Sequence, residues 1–203
     1  MVYLFVGKKR SGKTCYCVSY LRKHSKKYSN YFCNFPLDFA YKIDPYTWMD
    51  FKYPKNSAIF IDEAQKFYNS RNFTELQKKG IGDKLLDFLT LCSHYDIDIF
   101  FITQSPNRID LQIRELADVI FHIKHTFKTL FRKEPFLVFG YNFSDITDYE
   151  KFINPNNFSH QYNYRFTFKF IYSSDLKTFD TKYIYPDYLR KPNINFKRWS
   201  EIK

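Results

Sequence analysis

The stretch Gly7-Lys8-Lys9-Arg10-Ser11-Gly12-Lys13-Thr14, directly behind the apolar run Val2 to Val6, leaves this chain little choice of fold. It is a complete G-x-x-x-x-G-K-[ST] pattern, in which a strand opens through a tight glycine turn into a helix. The backbone N–H groups of such a loop, with the positive end of the following helix, form a nest for the β- and γ-phosphates of a nucleoside triphosphate such as ATP. Lys13 supplies a point charge, and the Thr14 hydroxyl is placed to ligate Mg²⁺. A glycine-serine turn with no ligand is the alternative for the loop taken alone. Against it stands a second segment, Ile59-Phe60-Ile61-Asp62-Glu63, an apolar strand that ends in two carboxylates. There Asp62 would hold the metal through its shell and Glu63 would polarise a water.

The pattern around these motifs is that of an α/β fold. Helical character runs from Thr14 to Leu21, and a short strand is predicted over Tyr31 to Phe35, closed by Pro36. Pro45 to Asn56 reads as an irregular link, and Ser57 to Ile61 as a buried strand. Leu85, Leu86, Phe88, Leu89 and Cys92 follow the i, i+3, i+4 rule of an amphipathic helix over Asp83 to Ser93. A buried strand from Ile97 to Thr103 ends at Gln104, helix-like Leu111 to Leu116 follows, and Val119 to Ile123 is a further strand. Alternation of this kind predicts a mainly parallel sheet covered by helices on both faces. Beyond residue 125 the pattern changes to a small antiparallel add-on. Phe136 to Tyr141 is a short apolar run, and Tyr162, Tyr164, Phe166, Phe168, Phe170 and Tyr172 alternate at period two. The tail from Tyr185 lacks periodicity. The expected organisation is therefore a core over residues 1–125 and a β-rich extension over residues 126–203.

A chain of 203 residues buries about 70% of its unfolded surface and needs no staple. The four cysteines, Cys15, Cys17, Cys33 and Cys92, form no C-x-x-C pair and have no His at zinc spacing, so they read as reduced, mostly buried thiols and not as a zinc site. No stretch approaches the ~20 apolar residues of a membrane span, and Met1 leads straight into a core strand rather than a signal peptide, which predicts a cytoplasmic protein. Thirty-two Lys and Arg against 21 Asp and Glu give a net charge of +11, and the first acidic residue is Asp38. A surface this basic attracts polyanions, either nucleic acid or an anionic membrane face, unless it is merely a Lys-rich solvated face. The 24 Phe and 18 Tyr fit base-stacking platforms, but the joint abundance of Phe, Tyr, Lys, Asn and Ile with scarce Gly favours an A/T-rich coding sequence as their origin.

Gln104 lies where ligands bind in open α/β sheets, at the carboxyl ends of the strands. If its strand neighbours that of Glu63, its amide can sense the γ-phosphate or orient the attacking water; otherwise it is a surface-turn amide before Pro106. Taken jointly, the loop, Ile61-Asp62-Glu63-Ala64-Gln65 followed by Arg71, the run from His94 through Asp96 to Gln104, and Ile109-Asp110 with Ile113-Arg114 resemble the zonula occludens toxin family. That family includes the assembly proteins of filamentous phages and belongs to the FtsK/HerA-like branch of P-loop motor ATPases. The likeness covers the first 125 residues, and Lys177-Thr178-Phe179-Asp180-Thr181 resembles a further family motif. It implies an ATP-hydrolysing motor at the inner face of a host membrane that extrudes phage DNA during virion assembly. On the matching positions Lys13 and Thr14 would bind phosphates and Mg²⁺, Asp62 the metal, Glu63 the water and Gln104 the γ-phosphate. Arg71, Arg108 and Arg114 would be candidates for an arginine finger offered to a neighbouring subunit of a homo-oligomeric ring. Single-stranded DNA and a membrane-embedded assembly partner complete the implied set of partners.

Neighbouring readings share much of this pattern. A viral DNA-packaging or plasmid-transfer ATPase would carry an identical site. A thymidine-kinase-like transferase shares Ile61-Asp62-Glu63-Ala64-Gln65, but it would bring C-x-x-C pairs. A basic DNA- or membrane-docking scaffold with a relic nucleotide site is at odds with the intact set Lys13, Thr14, Asp62 and Glu63.

Overall fold

In this computed structural model, residues 1–9, 11–127, 136–144, 146–153, 165–171, 198 and 200 are described. Arg10, the Lys177 to Thr181 motif, Tyr162, Tyr164, Tyr172 and the predicted tail other than residues 198 and 200 lie outside them.

Strand β1 (Val2–Val6) is apolar at every position and buried at every position. Only a strand covered on both faces tolerates that pattern. Val2, Leu4 and Val6 enter one hydrophobic cluster, while Tyr3 and Phe5 enter a second on the opposite face. The strands β4 (Ser57–Ile61) and β5 (Ile97–Thr103) divide in the same way, with Ile59, Ile61, Ile99 and Phe101 on the first face and Phe60, Phe100 and Ile102 on the second. Helix α1 (Lys13–Lys23) covers the second face through Tyr16, Cys17, Val18 and Leu21. The first face is covered by α2 (Ser70–Lys78), α3 (Ile81–Leu91), α4 (Leu111–Glu115) and α5 (Ile146–Ile153), which contribute Phe73, Leu76, Leu85, Leu89, Ile113 and Tyr149.

With β2 (Asn30–Cys33), β3 (Tyr41–Lys42), β6 (Val119–Phe127), β7 (Phe136–Phe143) and β8 (Arg165–Ile171), the strands among the described residues form one eight-stranded sheet in the order β3-β2-β4-β5-β1-β6-β7-β8. Pairing is parallel from β3 to β6 and antiparallel for β6 with β7 and β7 with β8. The expected mainly parallel sheet with helices on both faces is thus present, and the antiparallel strands extend that same sheet. β6 runs through residue 125, where the composition changes.

Several elements differ from the sequence reading. β2 begins and ends earlier than expected, at Asn30 and Cys33; past its end the Asn34 N–H still bonds the Phe60 carbonyl at 3.3 Å, and its side chain extends the contact to Asp62. The link from Pro45 to Asn56 is not wholly irregular: it holds a 3-10 turn at Trp48–Asp50, and the Trp48 ring is fully buried with its indole N–H on the Tyr68 hydroxyl at 2.7 Å. Helices α2 and α5 were not expected. α2 is polar apart from Phe73 and Leu76, and its start is marked by Asn69, whose side chain accepts from the Asn72 N–H at 3.1 Å.

At the amino ends of the strands Asp98 is buried among three donors, the Met1 ammonium at 3.0 Å, the Lys27 ammonium and the Tyr28 hydroxyl. Burial alone would raise this carboxyl, and the hydrogen bonds outweigh it, so it sits below its ordinary value. The cluster anchors one end of the sheet, and the motifs gather at the other.

Candidate nucleotide site

The central position of β5 decides the site. It separates β1 from β4 and pairs with both in parallel, so the loop after β1, the carboxylates after β4 and Gln104 after β5 emerge side by side. The condition on which the role of Gln104 depended, that its strand neighbours that of Glu63, is fulfilled.

Gly7 must lack a side chain: a Cβ there would lie 2.4 Å from the Ile123 carbonyl oxygen of β6 and 2.8 Å from Ser11 Oγ. Gly12 caps α1 in the left-handed region, at φ 85°, and as a glycine it brings no capping side chain of its own, while the first turn carries no acidic residue. The first-turn N–H groups of a helix, at the positive end of its dipole, suit an anion. The basic residues Arg22 and Lys23 occupy the last turn of α1, matching its dipole. Ser11 Oγ is buried without a hydrogen-bond partner among the described residues, as an atom awaiting a phosphate oxygen would be. Lys13 is buried, and its ammonium donates to the Lys8 carbonyl at 3.0 Å. Burial lowers its pKa, while Asp62 and Glu63 act to raise it.

Thr14 Oγ1 donates to Asp62 Oδ2 at 3.1 Å, which joins the loop to the end of β4. A hydroxyl and a carboxylate at this spacing are oxygen ligands of the kind Mg²⁺ takes alongside phosphates and waters, so the residues present fit that ion. Burial pushes Asp62 up to about 6, with the charge of Glu63 adding to it; the Glu63 N–H, the Thr14 hydroxyl and Lys13 pull the other way.

Two residues given no role by the sequence hold this end of β4. The buried Asn34 acts as one more rung of the ladder between β2 and β4. Its Oδ1 accepts from the Asp62 N–H at 2.8 Å, and its Nδ2 donates to the Asp62 carbonyl at 3.1 Å. The signal was its place as a polar residue closing an apolar strand, which the predicted continuation to Phe35 obscured. Glu63 then turns the chain through the left-handed region at φ 51°, and its N–H bonds back to Asp62 Oδ1 at 2.7 Å. A non-glycine residue there stores backbone strain. The second residue, Gln65, donates through Nε2 to Glu63 Oε2, and its Oε1 is buried without a partner among the described residues.

Gln104 approaches the same oxygen, with Nε2 at 3.5 Å from Glu63 Oε2. The three arginines part company. Arg108 Nη1 donates to Gln104 Oε1 at 2.7 Å in its own chain. Arg114 ties α4 to α5, bonding Asn107 and standing 4.0 Å from Glu150. Arg71 is exposed on the first turn of α2. Lys8 and Lys9 are exposed on the loop.

The fold is shared with the N-terminal domain of zonular occludens toxin from Neisseria meningitidis. The TM-score is 0.60 at 17% identity, over 88% of this chain and 98% of that one. Two further structures are similar at lower scores. The DNA-packaging ATPase B204 of Sulfolobus turreted icosahedral virus gives a TM-score of 0.47 at 14% identity, over 81% of this chain and 95% of that one. The genome-packaging NTPase B204 of Sulfolobus turreted icosahedral virus 2, in complex with ATP-gammaS, gives 0.43 at 14% identity, over 82% and 95%. No curated protein matches the chain. The family model for zonular occludens toxin (Zot) matches residues 34–136, half of the chain, spanning Asn34, the carboxylates after β4, Gln104 and the start of β7. The chain belongs to the zonular occludens toxin family.

Proposed function

We propose that this protein is a Mg²⁺-dependent ATPase that works as a homo-oligomeric motor, moving DNA during virion assembly. The observation that carries the reading is the hydrogen bond of 3.1 Å between Thr14 of the loop and Asp62 after β4, because it closes a phosphate nest and a metal shell around one crevice. The amino end of α1, Lys13 and Ser11 would hold the phosphates. Bound Mg²⁺ would neutralise charge on the β- and γ-phosphate oxygens. Glu63, past the metal-binding carboxylate, would take the proton of an attacking water, and Gln104 and Gln65 would keep its carboxylate aimed. The activity is assigned to residues 1–125, with residues 126–203 as their extension. Family membership supports extrusion of filamentous phage DNA as the task, with single-stranded DNA as the track and a membrane-embedded assembly protein as the docking partner. No helix among the described residues is long and apolar enough to cross a membrane.

ATP binding and turnover by two variants test this reading. Lys13→Ala should lose nucleotide binding. Glu63→Gln should bind ATP and lose a factor of ~10² to 10⁴ in hydrolysis, the range for general-base chemistry. ADP formation that depends on thymidine, with no basal or DNA-stimulated hydrolysis, would move the protein to the kinases.

A further inference from the structure

An arginine that serves a neighbour's nucleotide needs a guanidinium free to leave its own subunit. Arg108, although its side chain is exposed, points its guanidinium back at its own subunit. β5 ends at Thr103, and Pro106 opens a one-turn 3-10 helix, Pro106–Arg108. The turn is fixed at both ends, with the Arg108 N–H on the Ser105 carbonyl at 3.1 Å and the Ile109 N–H on the Pro106 carbonyl at 2.9 Å. Ile109 is buried in the core behind it, and the Asp110 N–H bonds the Tyr68 carbonyl at 2.8 Å. The arginine four residues past Gln104 is thereby aimed at the Gln104 amide, 2.7 Å from Oε1.

The chemistry of that contact is one-sided. A guanidinium only donates, so it draws the oxygen of the Gln104 amide towards itself and leaves the NH₂ facing Glu63. A carboxylate only accepts, so the amide turned the other way would set oxygen against oxygen. A side-chain amide by itself turns either way, and the nearly equal size of its two ends gives sterics no say. Glu63 makes the second demand on the same amide, at 3.5 Å, a weaker one than that of Arg108.

Resting on the ATPase reading above, we infer that Arg108 is a positioning residue acting within its own subunit. It fixes the polarity of the Gln104 amide so that Nε2, and not Oε1, faces Glu63. Arg108 is therefore not the finger of a neighbouring subunit, and that role falls to another cation.

Turnover of single variants and of a co-expressed pair tests the assignment. Arg108→Ala should lower kcat roughly tenfold to a hundredfold with the KM for MgATP unchanged, short of the 10³ to 10⁵ of a finger supplied in trans. Arg108→Lys, also a pure donor, should recover part of the loss. Arg108→Ala is then co-expressed with Lys13→Ala, so that each assembly mixes subunits that keep the loop with subunits that keep the arginine. Activity no greater than that of the Arg108→Ala subunits alone is the expected result. Recovery in the mixture, where Arg108 could reach an intact site only from a neighbour, would overturn the inference, as would Arg108→Ala turning over like the wild type. A wild-type preparation with no turnover would instead sink the ATPase reading, and this inference with it.

Discussion

Replacing Asp62 with Asn should make the nucleotide-free protein more stable while removing its hydrolysis. The carboxylate makes two hydrogen bonds, accepting from the Glu63 N–H at 2.7 Å and from the Thr14 hydroxyl at 3.1 Å. An amide can keep both, with its oxygen on the N–H and its NH₂ donating to a hydroxyl that turns round to accept. What changes is the charge. Burial, with Glu63 beside it, raises the Asp62 pKa from 3.8 to about 6. A group raised on folding contributes its full stabilisation below its unfolded pKa and loses it as pH rises through the folded one. At neutral pH the ionised wild-type carboxylate therefore costs about 3 kcal/mol, at roughly 1.4 kcal/mol per pKa unit, and the amide does not bear that cost. For a domain of this size the difference corresponds to about 6 to 12 °C in Tm. Urea unfolding in EDTA without nucleotide, at about pH 7.5 and again at about pH 5, measures it. The advantage of Asn should fall to about half at the lower pH, where folded Asp62 is already protonated. A variant no more stable than wild type at neutral pH, or a gain equal at both pH values, would refute the reasoning.

Asn34→Ala should destabilise the protein by about 2–4 kcal/mol, because the Asp62 N–H and carbonyl both lose a buried partner; Asn34→Asp should not rescue it, since one of the two bonds needs a donor, and chemical denaturation of the three proteins decides the point. Turnover per subunit should fall on dilution through the dissociation range of a homo-oligomer, and a constant rate in analytical centrifugation fractions from assembly to monomer would exclude a finger in trans. The +11 charge should bind single-stranded DNA with log K falling against log[salt] by about 0.7 per phosphate neutralised. A salt-insensitive affinity, or binding only to anionic vesicles offered to the same preparation, would assign the charge elsewhere.

The chain's own pattern determined the phosphate loop, the carboxylate pair, the strands at Ser57–Ile61 and Ile97–Thr103 and the parallel character of the sheet. Each rests on local information: a glycine pattern, or an apolar run too uniform for a half-exposed strand. The tertiary structure decided what those residues do to one another. The place of β5 between β1 and β4 is a matter of crossovers, which no stretch of sequence encodes locally, yet it alone brings Gln104 to Glu63. Asn34 reads as one more residue of a strand until β4 lies beside it and its amide becomes a rung. Gln65 was visible as part of a motif, but its hold on Glu63 depends on the left-handed turn at Glu63, which nothing in a glutamate announces. Arg71, Arg108 and Arg114 are alike as letters. Only the fold separates the one tied to Gln104 from the one tied between two helices and the one left in solvent, because a guanidinium's role is set by the acceptors within its reach.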